Sequence, residues 1–119
     1  MPVPLHRSKY RERGYNQAEL LACGLGRGLS YPVLSDLLVR NKKTLPQKQL
    51  SDKERLRNLQ EAFAYNEAVA ERFNKELNKI LLVDDIFTTG STIEACTNVL
   101  MSKGVKDIWF ITLCIGKGY

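Results

Sequence analysis

The chain has 119 residues, a length that fits one domain, and its 44% hydrophobic and 26% charged residues are ordinary for a globular protein. No apolar run approaches the length of a membrane span, and the N-terminus lacks the apolar core of a secretory signal, so the sequence predicts a cytosolic protein without membrane insertion. The three cysteines are widely spaced and form no C-x-x-C pair, which argues against a structural zinc site or a disulfide framework.

The net charge of +5 is unevenly distributed along the chain. Residues 1–60 carry twelve Lys and Arg against five Asp and Glu, a balance of +7, whereas residues 61–119 carry six against eight, a balance of −2. A basic half with an acidic pair suits a polyanionic substrate and its Mg²⁺, and it suits a nucleic-acid surface equally well. The charge distribution alone therefore does not distinguish a polyanionic substrate from a nucleic acid as the partner.

The N-terminal segment contains Val3-Pro4, which fits the end of a strand. Only two residues precede it, so we expect either a part of a longer protein or a genuinely short form with a smaller sheet. Residues 4–14 then predict a basic turn with four cationic side chains and the only histidine, His6. An isolated charge run is usually a solvated loop. The position directly after a strand end, where α/β folds bind ligands, favours a functional loop instead.

A helix and a strand are predicted next. Asn16 is a suitable N-cap for a helix that ends near Gly28, and four apolar residues fall on one face of it: Ala18, Leu21, Ala22 and Leu25. Residues Val33 to Arg40 predict a second strand, which places Arg40 at its C-terminal end on the ligand side.

The stretch from Asn41 to Asn58 is long, strongly basic and without a clear core face. Residues Ser51 to Glu54 have the pattern of a capping box for a short helix. Loops of this length inside compact domains are usually functional or disordered. A functional loop and a disordered basic linker are both consistent with this composition.

The stretch from Ile80 to Thr92 organises the rest of the chain. A short strand is predicted before it, within residues 61–65. Four apolar residues, Ile80 to Val83, predict a buried parallel strand that runs into Asp84 and Asp85. The turn from Thr88 to Thr92 then leads into a helix over Ser91–Lys103, which Gly104 ends, and a last strand is predicted over Val105–Ile115.

This turn has the chemistry of an anion site. The N-terminus of a helix favours an anion, Gly90 allows close approach of the backbone, and four hydroxyls add donors: Thr88, Thr89, Ser91 and Thr92. The two aspartates repel a phosphate, but they can accept hydrogen bonds from sugar hydroxyls or help to hold a divalent cation. A phosphate beside a diol describes a ribose 5-phosphate. The alternative is a strand–turn–helix whose hydroxyls only cap the helix.

The β-α-β order with short turns predicts an α/β fold with a doubly wound parallel sheet. Its ligand is expected at the carboxyl ends of the strands, between the Asp84–Thr92 loop and the Pro4–Arg7 loop.

Two segments carry a resemblance to known proteins. The run from Ile80 to Thr92 resembles the phosphoribosyl pyrophosphate (PRPP) signature of type I phosphoribosyltransferases, and it fits at every position although Phe87 is bulkier than usual. The segment V-P-V-P-L-H, followed by R-G-Y-N-Q-A-E-L-L, narrows the resemblance to the competence protein F family, a branch regarded as amidophosphoribosyltransferase-like. The resemblance implies one type I phosphoribosyltransferase domain over residues 1–119, N-terminally truncated and lacking its first strand.

The resemblance also implies roles for individual residues. The loop Thr88, Thr89, Gly90, Ser91 and Thr92 would bind the 5-phosphate. Asp84 and Asp85 would be the catalytic acid pair on the ribose hydroxyls, with Mg²⁺ held mainly through PRPP and in part by this pair. The pyrophosphate would contact Leu5, His6, Arg7 and Arg40. Residues 41–58 would form a flexible hood that closes over PRPP through Lys42, Lys43, Gln47, Arg55 and Asn58.

The implied function is Mg²⁺-dependent transfer of a phosphoribosyl group, with release of pyrophosphate, to an acceptor that the sequence does not identify. The alternative is a non-catalytic PRPP-sensing or DNA-uptake accessory protein whose basic half binds single-stranded DNA or the competence machinery. A homodimer is a further expectation.

Overall fold

The computed structural model describes residues 1–5, 7–40, 51–73 and 77–116. Within these ranges no helix is long and apolar enough to cross a membrane. The elements, in chain order, are α1 (Arg7–Arg13), α2 (Gln17–Leu29), β1 (Leu38–Arg40), α3 (Asp52–Ala62), β2 (Phe63–Tyr65), α4 (Glu67–Phe73), β3 (Lys79–Phe87), α5 (Ser91–Ser102) and β4 (Asp107–Ile115).

β3 lies in the middle of a parallel sheet. On one edge it pairs with β4, in register from Lys79 opposite Asp107 to Phe87 opposite Ile115. On the other edge Pro2 forms a parallel bridge with Val83, and the Val3 N–H donates to the Val83 carbonyl at 2.8 Å. The N-terminal residues thus run beside β3 in the same direction, as expected for the end of a strand.

β1 and β2 form a separate antiparallel pair, with Leu38 opposite Tyr65 and Arg40 opposite Phe63. The prediction of a strand from Val33 to Arg40 is therefore wrong for its first five residues. The backbone bends at residues 35–37, directly before β1, so the strand begins only at Leu38. The described fold is mixed α/β with a small parallel and a small antiparallel sheet, and the doubly wound sheet stays a prediction.

The basic segment after Pro4 is helical rather than a turn. α1 spans Arg7–Arg13, where Arg, Lys and Glu favour a helix and no glycine or proline interrupts it. Gly14 ends it with a positive φ of 76°, and its N–H donates to the Tyr10 carbonyl at 2.7 Å. The prediction of a basic turn over the whole segment is thus corrected.

The other predicted helices and strands are confirmed in position. Asn16 caps α2 by accepting a hydrogen bond from the Ala18 N–H, and Ser51 and Glu54 form the predicted capping box of α3. α5 ends at Ser102, just before Gly104 with φ 96°. The short strand predicted near residues 61–65 begins later, because α3 continues to Ala62.

The core lies between β3 and α5. Leu82 of β3 and the α5 residues Cys96 and Leu100 are fully buried in one cluster. Side chains on a strand alternate between faces, and Leu81 and Val83 line a largely apolar cavity of about 540 Å³ together with residues of α2. This packing fixes β3, which carries the acid pair, between α2 and α5.

Candidate functional site

The acid pair lies near the C-terminal end of β3 and is half-buried. The Asp84 carboxylate accepts a hydrogen bond from the Asp85 N–H at 2.9 Å, and the Asp85 carboxylate accepts one from the Ile86 N–H, also at 2.9 Å. These bonds orient both carboxylates before any ligand arrives, which lowers the entropy cost of binding to them.

The two carboxylates differ in their electrostatics. Burial, together with a hydrogen bond to the Asp85 side chain, raises the pKa of Asp84 to about 6. A carboxyl group with this pKa is mostly ionised at pH 7 and holds its charge at a free-energy cost. A cation or a hydroxyl donor at Asp84 would offset that cost.

The turn after β3 presents hydrogen-bond donors at the start of α5. Gly90 is the N-cap residue of this 12-residue helix, has a φ of 84°, and makes no side-chain cap hydrogen bond. The Thr89 and Ser91 hydroxyls lie 2.8 Å apart, and the Ser91 N–H donates to Thr89 Oγ1 at 3.3 Å. Hydroxyls and helix N–H groups thus converge on one exposed turn that is suited to an anion.

The ring of Phe87 lies close to Gly90 in this turn. A Cβ atom placed on Gly90 would lie 2.9 Å from the Phe87 ring, and the positive φ also disfavours a side chain, so both features favour glycine at this position. The Phe87 ring stacks on Phe110 of β4, with centroids 5.5 Å apart and planes 8° from parallel. Sequence reasoning noted the size of Phe87 but missed this role, because its stacking partner comes from another strand.

Arg40 is the last residue of β1. Its guanidinium lies over the Phe63 ring, 5.5 Å from the centroid. The charges of Arg40 and Asp84 both act on the buried thiol of Cys96. Burial and, to a smaller extent, the Asp84 charge raise the pKa of this thiol to about 12, and the Arg40 charge opposes the rise. Two predicted site residues, Arg40 and Asp84, therefore both lie within electrostatic range of Cys96 on α5, which the sequence did not indicate as part of the site.

Two buried donors of predicted site residues have no hydrogen-bond partner among the described residues. They are Arg40 Nε and Asn58 Nδ2, the latter on α3. Buried unpaired donors are costly and are uncommon in native structures. A bound anion that accepts from them would remove this cost, which favours a ligand-binding role for both residues.

The N-terminal segment reaches the same edge of the sheet. Because Pro2 bridges to Val83 in parallel, Pro4 and the half-buried Leu5 follow on the side where Asp84 follows Val83. His6 lies outside the described residues. The backbone of Arg7 begins α1, and its side chain is not among those described.

Comparison with known proteins gives three informative matches. The chain is 41% identical over 108 residues to Competence protein F from Haemophilus influenzae, which covers 91% of this chain and 46% of that protein. It is 34% identical over 112 residues to DNA utilization protein YhgH from Escherichia coli K12, covering 94% of this chain and 47% of that protein. It is 34% identical over 105 residues to Competence protein ComFC from Bacillus subtilis. The chain belongs to the competence protein F family.

This family assignment rests on sequence relatives alone, since no family model and no solved structure matches the chain. The chain spans less than half the length of each of these three relatives. The names of the relatives refer to competence and to the utilization of DNA.

The remaining competence F positions belong to the predicted hood. Lys42, Lys43 and Gln47 lie outside the described residues, and Arg55 is on α3 with its side chain not described. Asn58 is half-buried on the same helix, so part of the predicted loop is an ordered helix.

No group of three His, Cys, Asp or Glu that could hold a metal is found within residues 1–5, 7–40, 51–73 and 77–116. Mg²⁺ is commonly bound by one or two carboxylates together with substrate phosphates, so Asp84 and Asp85 fit such a shared site.

Proposed function

We propose that the chain is a PRPP-binding phosphoribosyltransferase unit of the competence F kind. One observation carries the proposal: the acid pair and the turn at the start of α5 are joined within one strand–turn–helix. The hydroxyls and N–H groups of Thr89 to Thr92 suit the 5-phosphate, and Asp84 and Asp85 suit the ribose hydroxyls. The resemblance of the Ile80–Thr92 run to the PRPP signature supports the same assignment.

The reaction proposed is transfer of the phosphoribosyl group at C1 of the ribose, with pyrophosphate leaving. The transition state is expected to carry positive charge on the sugar and negative charge on the leaving group. The protein therefore needs to position the substrate and stabilise these charges rather than supply a strong nucleophile. Arg40 would neutralise the pyrophosphate, and its buried Nε, which has no partner among the described residues, supports this role. Mg²⁺ bound by PRPP and the acid pair would supply further neutralisation of the phosphates.

The first experiment is calorimetric titration of PRPP with Mg²⁺ into the parent and into an Asp84→Asn/Asp85→Asn double variant. We expect saturable binding in the parent and binding at least tenfold weaker in the variant. Asp107→Asn, at the exposed start of β4, is the matched control for loss of an acidic charge and should bind as the parent does. Equal binding by the parent and the double variant would refute the assignment of the acid pair.

A second candidate function is non-catalytic and involves nucleic acid. On α1 Arg11 and Arg13 are exposed, and Tyr10 and Tyr15 beside them are each nearly half exposed. Cations next to accessible aromatic rings suit single-stranded nucleic acid, since the phosphates meet the charges and the bases stack on the rings. The names of the DNA utilization relatives agree with this possibility.

This second function is tested by fluorescence anisotropy with a labelled single-stranded oligonucleotide at several salt concentrations. If α1 is the contact surface, Arg11→Glu/Arg13→Glu will weaken binding and flatten its salt dependence. Arg27→Glu/Lys106→Glu makes the same change in net charge at exposed positions elsewhere and should affect binding much less. Similar losses in both variants would mean that only net charge matters.

A further inference from the structure

β4 is an edge strand with an exposed apolar surface. It pairs with β3 along one edge, and within the described residues its other edge has no strand partner. Its alternating residues Trp109, Leu113 and Ile115 are 71%, 70% and 81% exposed, and Ile111 between them is also exposed. Phe110, on the opposite face, is half exposed as well.

This edge lacks the usual protection against pairing. Edge strands in monomeric proteins are commonly short, bulged, or interrupted by charged residues or proline. β4 has nine residues, and from Ile108 to Ile115 it contains neither a charged residue nor a proline. A free backbone edge with apolar side chains on both faces is a surface suited to another strand.

We propose that β4 is the interface between two copies of this chain, paired antiparallel about a twofold axis at Ile111. In this register Trp109 lies opposite Leu113 of the partner subunit, and Ile111 lies opposite the partner's Ile111. Asp107 lies opposite the partner's Ile115, at the end of the strand and far from the partner's Asp107. No like charges meet, so the surface is complementary to itself, as a twofold interface requires.

A strand from a second copy would provide partners for more groups of β4 than a helix packed on its face would. A helix would bury the Trp109 face but would leave the N–H and C=O groups of the outer edge unpaired. A second β4 pairs those groups and sets apolar side chains beside apolar side chains on both faces. Five exposed apolar side chains per copy are available for these lateral contacts.

The interface would adjoin the candidate site without including the acid pair. Cys114 of β4 donates from its thiol to the Asp85 carbonyl, with Sγ and O 3.5 Å apart. Pairing through β4 would therefore join two candidate sites through one continuous sheet. The inference depends on the sheet edge and not on the proposed enzymatic function.

Sedimentation equilibrium over a range of concentrations tests the inference. The parent should be dimeric, and Trp109→Lys/Leu113→Lys should dissociate at least about a hundredfold more readily, because each lysine faces a lysine of the partner. Trp109→Lys/Leu113→Glu places opposite charges face to face in this register and should restore much of the dimer. Leu20→Lys, at a 62% exposed position on α2, is the control and should leave the dimer unchanged. A monomeric parent, or a Lys/Lys variant as dimeric as the parent, would overturn the inference.

Oxidative crosslinking tests the register without the charged variants. In a Cys114→Ser background, Ile111→Cys places two thiols directly opposite each other, within disulfide range. Leu113→Cys places them about four residues apart along the paired strands, beyond that range. We expect a covalent dimer from Ile111→Cys only. Equal crosslinking of the two variants would exclude the twofold axis at Ile111.

Discussion

The side chain of Asn16 connects α2 to the N-terminal strand segment. Its Nδ2 donates to the Val3 carbonyl at 3.1 Å, while its Oδ1 accepts from the Ala18 N–H at 3.1 Å. Val3 is in turn bonded to Val83, the residue before the acid pair. One amide therefore links the helix cap to the strand that carries the site, and both its donor and its acceptor are used.

Replacing Asn16 by Asp should separate these two roles. Aspartate keeps the cap of α2 but loses the donor and sets a carboxylate against the Val3 carbonyl, so we expect a loss of about 1–2 kcal/mol in the free energy of unfolding. Urea denaturation measures this change in the free energy of unfolding. Ser51→Asp, which keeps a capping acceptor at the exposed start of α3, should change stability by only a few tenths of a kcal/mol. An Asn16→Asp variant as stable as the parent would show that the bond to Val3 contributes nothing.

Asp84→Asn should stabilise the protein at pH 7 and not at pH 4. The raised pKa means that, between about pH 4 and 6, the folded state keeps a proton that the unfolded chain has lost, so this group destabilises the fold as the pH rises. With allowance for solvent at a half-buried carboxyl, we expect a gain of about 1 kcal/mol at pH 7. Thermal unfolding from pH 4 to 8 measures it, with the exposed Asp107→Asn as control. A gain that did not change with pH would contradict the raised pKa.

Gly90→Ala should disturb the anion turn through Phe87. The added Cβ meets the ring at 2.9 Å and forces a side chain into a positive φ, at a cost of about 1–3 kcal/mol. Phe87→Leu in the same chain should relieve the contact but not the backbone strain, and so recover part of the loss. In contrast, Gly24→Ala within α2 has open space around it and should stabilise by up to about 1 kcal/mol. Chemical denaturation measures these changes in the free energy of unfolding. A Gly90→Ala variant as stable as the parent would show that the turn accommodates the added Cβ at no cost.

Arg40→Met should separate stability from ligand binding. Methionine retains an apolar contact with Phe63 and removes the buried donor that has no described partner, so the free energy of unfolding should be unchanged or higher. PRPP or pyrophosphate should bind at least tenfold more weakly when measured by calorimetry. Arg27→Met, on the exposed surface of α2, should alter neither quantity. Strong destabilisation with unchanged affinity would make Arg40 a structural residue.

The elements that sequence reasoning placed well are those with strong local patterns. β3, α5 and β4 follow from an apolar run, a glycine-led turn with helical periodicity, and a β-branched run. The same reasoning failed at α1, where a dense charge run suggested a turn although its residues favour a helix. It also failed before β1, where an apolar run suggested a strand although the backbone bends at residues 35–37.

Part of the site could be predicted because its residues also form a strong local pattern. Asp84, Asp85 and the turn to Thr92 are contiguous, so their juxtaposition could be derived from a single segment. The approach of Arg40 to Cys96 and the stacking of Phe87 on Phe110 join separate elements. Such pairs depend on tertiary packing, which leaves no local pattern in the sequence.

The continuity of residues 79–115 has a consequence for local stability. This segment contains β3, α5 and β4, so the acid pair, the anion turn and the Phe87–Phe110 stack lie within one β-α-β unit. Arg40 belongs instead to the separate β1–β2 pair, in which each strand has three residues, and this pair can open locally without disrupting the β-α-β unit. Native-state hydrogen exchange should therefore show the β1 amides opening more readily than those of β3 and β4.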